Sequence, residues 1–533
     1  MNRLALLLIL LLNPFDCSNA APDYAVEGEA WWSHIRVLAD DSMEGRNTGS
    51  AGYRRAAAYV TAEFKRMGLR PSGTEGYYQP MQFRVRQIIE EQSRLDVVTE
   101  DKSERLSLSA DANFGLPMDM AKRIYARAVF VGHGLVIPEM GIDDLAGLNL
   151  TGKIAVTLSG GPKEIPGPVK AHYSSTRQQW QALRKAGAIG MAVIRNPKSA
   201  DIPWARSTLA RLQPSMSLND PQLDDAAGMK LLLRVNPEHA DKLFTGSGHT
   251  IAELLALGDE PLPRFPLRIA IRARVAVKRT MLTSMNIVAV LEGNDPVLKG
   301  EYVVLSAHLD HLGIGQPING DKIYNGAMDN ASGVASILQV ADWLRKSGSP
   351  LKRSVLFLVV TGEEKGLQGS KYFANYPTVP KSAIVADLNT DMFLPIHALK
   401  SLRVFGLGES TLGEQVRSTC SEMGVEIQPD PEPDRNIFIR SDQYSFIRQG
   451  IPALSFGFGY TPGSPEEQLH KDWLKTRYHA PSDDLNQPVD EAAAAQFNHI
   501  LLALVQHVAD ATERPEWNAG SFFRRFANRK QTF

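Results

Sequence analysis

The chain of 533 residues is short of three things: cysteine, excess charge and long apolar runs. Its 2 Cys argue against a disulfide-rich scaffold and against a four-cysteine zinc module. Its 58 Lys and Arg nearly balance its 59 Asp and Glu, which argues against a protein that binds nucleic acid by neutralising phosphates. Beyond a short apolar N-terminus, no run approaches the roughly 20 apolar residues of a membrane-spanning helix, so we expect no stable membrane span.

The first twenty residues have the pattern of a secretory signal. Arg3 precedes an apolar run over 4–12, and Ser18 and Ala20 follow it with the spacing of a signal-peptidase site. We therefore expect residues 1–20 to be removed on export and the mature protein to be periplasmic or secreted. A buried N-terminal helix is the alternative interpretation. Cys17 would leave with the signal, and Cys420 is expected to act as a small buried apolar residue.

Hydrophobic periodicity then predicts a helix followed by a strand-rich section. The helix covers 51–68, with Gly68 just beyond its last turn. Residues 21–115 would belong to the same unit as residues 280–514, and 116–279 to a second, inserted unit that is rich in strands and has few clustered potential ligands. The strand-like runs of this second unit are 128–131, 154–158, 191–194, 231–235 and 268–277, with one helix at 176–186.

From residue 280 to residue 514, strand-like runs alternate with helical stretches. This alternation predicts an α/β fold built on a mainly parallel sheet with helices on both faces. Helices are expected over 333–345 and over 490–511, with Asp490 as the N-cap of the second. The tail, 515–533, holds four Phe among basic residues, and we expect a docked or frayed terminus in preference to a membrane or partner site. The predicted strands are 287–291, 302–305, 354–360, 383–388, 402–405 and 453–456.

Potential metal ligands follow several of these strands, where ligands collect in open α/β sheets. Two histidines and three carboxylates make a mixed nitrogen and oxygen set, which suits two divalent ions and favours zinc. One carboxylate would bridge the ions, and a neighbouring carboxylate that is not a ligand could take a proton from water. The adjacent pair Glu363 and Glu364 offers two carboxylates with different possible roles. The remaining candidates are His308, Asp310, Asp329, Asp391 and His479.

As a set, these segments resemble those of the M28 family of zinc peptidases. The segment at 38–52 is similar to the opening segment of that family, and 129–156 with 183–194 resemble a protease-associated domain that is inserted in several members. The motifs that carry the resemblance are AHLDHLG (307–313), YNGAMDNASG (324–333), VTGEEKGLQGS (360–370), LNTDM (388–392), RSDQYSF (440–446) and YHAPSD (478–483).

The resemblance implies a metal-binding role for five residues. His308 and Asp391 would hold one zinc ion, Glu364 and His479 would hold the other, and Asp329 would bridge the two.

The resemblance also implies roles in catalysis. Glu363 would act as the general base and then pass its proton to the leaving amine. Asp310 would fix the imidazole of His308 through the second ring nitrogen, and Tyr478 would donate a hydrogen bond to the oxyanion.

The implied activity is that of an exported dizinc aminopeptidase that removes N-terminal residues from peptide substrates. Three alternatives stay open. A carboxypeptidase or dipeptidase would bind a terminal carboxylate, for which Arg435 or Arg440 is available. A glutaminyl-cyclase-like acyltransferase would use a single zinc ion, and a receptor-type binding protein would lack catalysis. The preferred substrate residue and the oligomeric state are not predicted.

Two positions depart from the family pattern. Met328 stands where many members have the first Asp of Asp-Asp-Asn, so we expect less acidic surroundings for Asp329. Gln443 stands where a His is frequent, which would alter the pocket or a supporting hydrogen bond. Outside the ligand set, His311, His397 and His470 are expected to have satisfied or surface roles rather than to bind metal.

Overall fold

The computed structural model describes residues 22–200, 202–257, 260–432, 435 and 437–527. The predicted secretory signal, 1–20, lies outside the described residues, as does the end of the tail. The α-helices of the described residues are, in chain order, α1 (Tyr24–Leu38), α2 (Ala51–Arg66), α3 (Gly167–Ser174), α4 (Thr176–Lys185), α5 (Trp204–Ser207), α6 (Asp241–Phe244), α7 (Ile251–Ala256), α8 (Ser332–Ser347), α9 (Gln368–Asn375), α10 (Leu412–Glu422), α11 (Gln443–Ile447), α12 (Pro465–Thr476), α13 (Glu491–Asp510) and α14 (Arg524–Ala527).

The strands form two large sheets and two small hairpins. In chain order they are β1 (Arg70–Pro71), β2 (Tyr78–Ile88), β3 (Arg94–Val98), β4 (Ser103–Leu106), β5 (Ala112–Gly115), β6 (Arg123–Phe130), β7 (Val136–Ile137), β8 (Ile142–Asp143), β9 (Ile154–Leu158), β10 (Gly190–Ile194), β11 (Ser215–Leu218), β12 (Leu231–Val235), β13 (Phe265–Arg274), β14 (Val277–Leu291), β15 (Tyr302–His308), β16 (Gly313–Ile318), β17 (Asp321–Tyr324), β18 (Ser354–Val360), β19 (Ile384–Asn389), β20 (Ser401–Phe405), β21 (Glu426–Gln428) and β22 (Ala453–Phe458).

The first large sheet confirms the predicted α/β class. Its strand order is β11-β2-β14-β18-β15-β19-β22-β20-β21, with β1 paired to β14. The central strands β18, β15, β19 and β22 run parallel to one another, whereas β2, β14 and β20 join antiparallel. The sheet is therefore mixed, with its parallel part at the centre.

Helices cover both faces of this sheet, as predicted. Along β15 the side chains alternate: Val303 and Leu305 pack in a core that includes residues of α1, α2, α8 and α13. Val304 points to the other face and packs in a core with Phe373 of α9 and Phe446 of α11. Because the central strands of the sheet are buried on both faces, their sequences are almost continuous apolar runs.

The second large sheet lies, in sequence, between β2 and β14 of the first. Its order is β4-β3-β13-β6-β9-β10-β12-β5. The predicted boundary at residue 116 has to move to about residue 93, because β3 pairs with β13 and β5 pairs with β12. One strand of this section leaves the second sheet: β11 pairs antiparallel with β2 at the edge of the first sheet.

The described part of the tail is docked, as expected. Phe523 and Phe526 are buried in a cluster with Phe438 and Tyr444. Cys420 is buried in the main core, and burial raises the pKa of its thiol to about 11. Among the described residues, no helix combines the length and apolar character that crossing a bilayer requires.

Candidate active site

The ends of three neighbouring strands bring the first predicted ligands together. His308 is the last residue of β15, and Asp391 follows the end of β19 by two residues. Glu364 lies in the turn after β18. Since β18, β15 and β19 are adjacent and parallel, their carboxyl ends meet at one edge of the sheet.

The other two predicted ligands come from turns. Asp329 lies in the turn that leads into α8, and His479 lies between α12 and α13 with φ of 53°. His308, Asp329 and Asp391 form one group that could hold a metal ion.

The two carboxylate oxygens of Asp329 face different histidines. Its Oδ1 lies 3.3 Å from Nε2 of His308, and its Oδ2 lies 3.3 Å from Nε2 of His479. Nε2 of His308 is also 3.2 Å from Oδ1 of Asp391, and Nε2 of His479 is 3.3 Å from Oε2 of Glu364. The five predicted ligands therefore form two groups that share Asp329.

These separations fit metal ligands. Ligand atoms about 2.0–2.1 Å from a tetrahedral zinc ion stand about 3.3 Å apart. The four nitrogen-to-oxygen distances between the histidines and the carboxylates lie between 3.2 and 3.3 Å. The residues present thus fit two divalent ions bridged by Asp329.

Asp483 holds the bridging residue in place. Its carboxylate oxygens accept hydrogen bonds from the backbone N–H groups of Met328, at 2.9 Å, and Asp329, at 3.0 Å. The N–H groups of the turn before α8 are thereby satisfied in the protein interior. Asp483 is the last residue of the motif at 478–483, but the sequence did not predict this supporting role.

The orienting contact on His308 differs from the expected one. Its Nδ1 lies 2.9 Å from the backbone carbonyl oxygen of Asp310, and the Asp310 carboxylate makes other bonds. That carboxylate accepts hydrogen bonds from the backbone N–H of Glu363, at 3.1 Å, and from the hydroxyl of Thr48, at 2.9 Å. The backbone carbonyl of Asp310 therefore faces the His308 ring. The Asp310 side chain instead positions the turn that carries Glu363 and Glu364.

Glu363 and Tyr478, the predicted base and hydrogen-bond donor, both lie beside these groups. Burial raises the pKa of Glu363 well above its ordinary value, and the Glu364 and Asp391 carboxylates act in the same direction. The ring of Tyr478 lies 4.0 Å from that of His479, centroid to centroid. Burial raises the pKa of Tyr478 to about 12, so its hydroxyl keeps its proton near neutral pH.

Arg46 is a supporting residue that sequence reasoning did not single out. It is fully buried, and its guanidinium donates hydrogen bonds to backbone carbonyls of the segments that carry the ligands. Burial lowers the pKa of Arg46 to about 10, which still leaves it charged at neutral pH. The acceptors are Leu309 O at 2.8 Å, Leu38 O at 2.6 Å, Asn325 O at 2.5 Å and Gly326 O at 2.8 Å.

The two departures from the family pattern have structural roles. Met328 is buried in the main core, which makes its side chain part of the packing. Gln443 accepts a hydrogen bond from Asn389 and donates one to the carbonyl of Phe438, so it links β19 to the loop before α11. Gln443 therefore supports the site through hydrogen bonds.

Of the three other histidines named from the sequence, two behave as expected. His397 is partly exposed, and His470 is buried beside Tyr460. His311 does not: it lies at the site, and it forms a second potential metal group with Asp329 and Glu364. Its position three residues after His308 was the available signal.

Comparison with known proteins identifies relatives of part of the chain. Probable leucine aminopeptidase 2 of Aspergillus oryzae (strain ATCC 42149 / RIB 40) is 26% identical over 268 residues, which is 48% of this chain and 51% of the relative. Leupeptin-inactivating enzyme 1 of Streptomyces exfoliatus is 29% identical over 232 residues, 42% of this chain and 48% of that protein. The chain thus spans about half the length of these curated relatives.

The fold has a counterpart among solved structures. An aminopeptidase from Aneurinibacillus sp. strain AM-1 matches with a TM-score of 0.56 at 20% identity, over 91% of this chain and 95% of that chain. At this identity the likeness concerns the fold. The profile of peptidase family M28 matches residues 286–505, the segment that contains all five predicted ligands. Residues 286–505 of this chain are therefore the part that is similar to peptidase family M28.

Proposed function

We propose that this protein is an exported aminopeptidase that uses two zinc ions to hydrolyse the N-terminal peptide bond of its substrates. The observation that carries the proposal is the placement of Asp329, whose two oxygens each lie 3.3 Å from a different histidine Nε2. A carboxylate placed in this way joins two metal groups into one centre, as hydrolytic two-metal sites require.

Zinc is the ion best matched to the donor atoms. Imidazole nitrogen and carboxylate oxygen are ordinary zinc ligands, and the ligand separations fit tetrahedral geometry. Bound in this way, two zinc ions would polarise the scissile carbonyl and lower the pKa of a water molecule at the site.

Glu363 is the residue we assign to proton transfer. It neighbours the ligand Glu364 but belongs to neither metal group, so its carboxylate is available to take a proton from water and pass it to the leaving amine. Its backbone is held by the hydrogen bond to Asp310, which fixes the turn after β18.

Tyr478 is assigned to the developing oxyanion. A protonated hydroxyl can donate a hydrogen bond to negative charge on the substrate oxygen, and a donor fixed in advance stabilises the transition state. The ring of Tyr478 packs at a tilt against that of His479, which places it next to the metal groups.

The substrate would approach from the side of Asp391 and His479. Their side chains are 14% and 27% exposed, whereas those of His308, Asp329 and Glu364 are at most 5% exposed. A peptide terminus arriving there meets both metal groups at once.

We also propose that the section between β2 and β14 is an inserted unit of the protease-associated type. Its own eight-stranded sheet supports this assignment. It is fixed to the peptidase unit by β11 and by Asp225, which lies 2.6 Å from the ammonium of Lys371 in α9.

A panel of aminoacyl-arylamides tests the function. The names of the curated relatives make the leucyl compound the first choice. We expect the zinc-loaded protein to cleave free-amine substrates, to reject their N-acetylated forms and to lose activity with a chelator. Equal cleavage of N-acetylated peptides would exclude an aminopeptidase. Cyclisation of N-terminal glutamine would indicate an acyltransferase, and zinc binding with no turnover would indicate a binding protein.

A further inference from the structure

His311 is a buried imidazole whose nitrogens make no hydrogen bond of good geometry, although Nδ1 lies close to a carboxylate oxygen. Its side chain is 0% exposed, and neither Nδ1 nor Nε2 makes a hydrogen bond with another described residue. Buried polar groups in proteins almost always have a partner, so an exception needs an explanation such as a bound ion.

The atoms that face Nδ1 are carboxylate oxygens of two predicted metal ligands. Oε1 of Glu364 lies 2.8 Å away and Oδ2 of Asp329 lies 3.8 Å away. Oε1 of Glu364 is itself buried without a hydrogen bond, so the short contact does not have the direction of an N–H···O bond. One ligand atom each from His311, Asp329 and Glu364 lie within 4.8 Å of one another.

The backbone holds the ring in this position. The N–H of His311 donates to the carbonyl of Arg46 at 3.3 Å. Gly326 lies against the other side of the ring: a Cβ on Gly326 would stand 2.6 Å from Cγ of His311. Arg46 also donates a hydrogen bond to the carbonyl of Gly326, so both neighbours of the ring belong to one bonded unit.

We propose that His311 is a third histidine ligand of the dizinc centre, with Nδ1 bound to the ion that Asp329, Glu364 and His479 also hold. This inference rests on the proposed function. It makes the two metal positions unequal. The position at His308 has three protein ligands, with Asp391 and Asp329, whereas the position at His311 has four.

The inequality has a chemical consequence. A site with three protein ligands keeps a position open for water or substrate, whereas four protein ligands fill a tetrahedral zinc site. The His308 position would therefore be the one that exchanges ligands during turnover, and the His311 position would be the one that holds its ion more tightly.

The test combines zinc affinity with X-ray absorption at the zinc edge, which counts imidazole ligands. The variants are His311→Ala and His311→Gln, with His397→Ala as the control because His397 is partly exposed and belongs to neither metal group. Glutamine can still donate a hydrogen bond to Glu364, so it would preserve a purely positioning role. Loss of a residue that only orients a ligand weakens metal binding by about 10- to 100-fold.

We expect both His311 variants to bind one of two zinc ions more than about 100-fold more weakly, since a ligand should exceed that supporting range. In the loaded wild type, we expect three imidazoles shared by two ions, and two imidazoles in each variant. Two imidazoles in the wild type, or wild-type zinc affinity in His311→Gln, would overturn the inference and leave the proposed function standing. Fewer than two zinc ions in the wild type would overturn both.

Discussion

Replacing Asp483 by Asn should weaken both zinc sites without touching a ligand. The Asp483 carboxylate accepts hydrogen bonds from the backbone N–H groups of Met328 and Asp329 and from the Gln487 amide. Asn has the same size, but one of its two terminal atoms donates hydrogen bonds, so it cannot accept from both backbone groups. At least one N–H of the turn then loses its partner.

The expected magnitude follows from this one lost bond. A hydrogen bond to a charged group contributes about 1.5–3 kcal/mol. In the metal-free variant the turn relaxes, and zinc binding has to reorder it against that amount of free energy. With about 1.4 kcal/mol for each factor of ten, zinc affinity falls by about 10- to 150-fold. Both ions should be affected, because Asp329 contributes to both groups.

Competition with a chelator of known zinc affinity measures the effect. Asp484→Asn is the matched control, because Asp484 is the next residue and its partly exposed carboxylate contacts Asn486 and Arg477 rather than the turn before α8. If Asp483→Asn binds both ions as tightly as the wild type, the positioning argument is wrong. A loss confined to one ion would contradict the bridging role of Asp329.

Three further predictions concern the base, the His311 ring and the contact between the two units. Glu363→Gln should keep both zinc ions and lower turnover by about 10²- to 10⁴-fold, and near-normal turnover would exclude Glu363 as the base. Gly326→Ala should lower both the melting temperature and zinc affinity more than Gly76→Ala does. Both glycines have positive φ, but a Cβ at Gly326 would overlap the Asp329 carbonyl oxygen and stand 2.6 Å from the His311 ring, whereas a Cβ at Gly76 would meet nothing within 4 Å; equal effects would show that the close packing at Gly326 is unimportant. Ion pairs lower the pKa of Asp225 from 3.8 to about 2 despite its burial, so its charge should contribute about 2 kcal/mol above pH 4 and lose that contribution as the pH falls towards 2. Asp225→Asn should therefore unfold more easily than the wild type at pH 7, with a gap that narrows below pH 4, and a gap independent of pH would refute this reasoning.

The sequence predicted those features that depend on local pattern. The 3.6-residue spacing of apolar residues over 333–345 correctly predicted α8. Asp490 was predicted as the N-cap of α13, and its side chain accepts a hydrogen bond from the N–H of Ala493. The apolar runs that end at Val360 and near Asn389 mark central strands, and polar residues directly after them lie together at the sheet edge. Even His479, far from the other predicted ligands in sequence, lies beside them.

The features that escaped prediction depend on contacts between distant segments. Arg46 bonds only to backbone carbonyls, and no side-chain pattern marks a carbonyl as an acceptor. β11 adds to the main sheet by pairing with β2, more than a hundred residues earlier in the chain. His311 lies in the segment after β15, where the sequence does not show which way a side chain points. The fold shows that its Nδ1 faces Glu364.

The central claim is that Asp329 joins two metal groups into one dizinc centre. Zinc binding by the wild type and by Asp329→Ala, measured side by side by chelator competition, tests this claim most directly. We expect two tightly bound zinc ions per chain in the wild type. We also expect Asp329→Ala to fail to hold two ions at a zinc concentration that saturates the wild type. A single ion in the wild type, or two ions held equally well by the variant, would contradict the bridging role of Asp329.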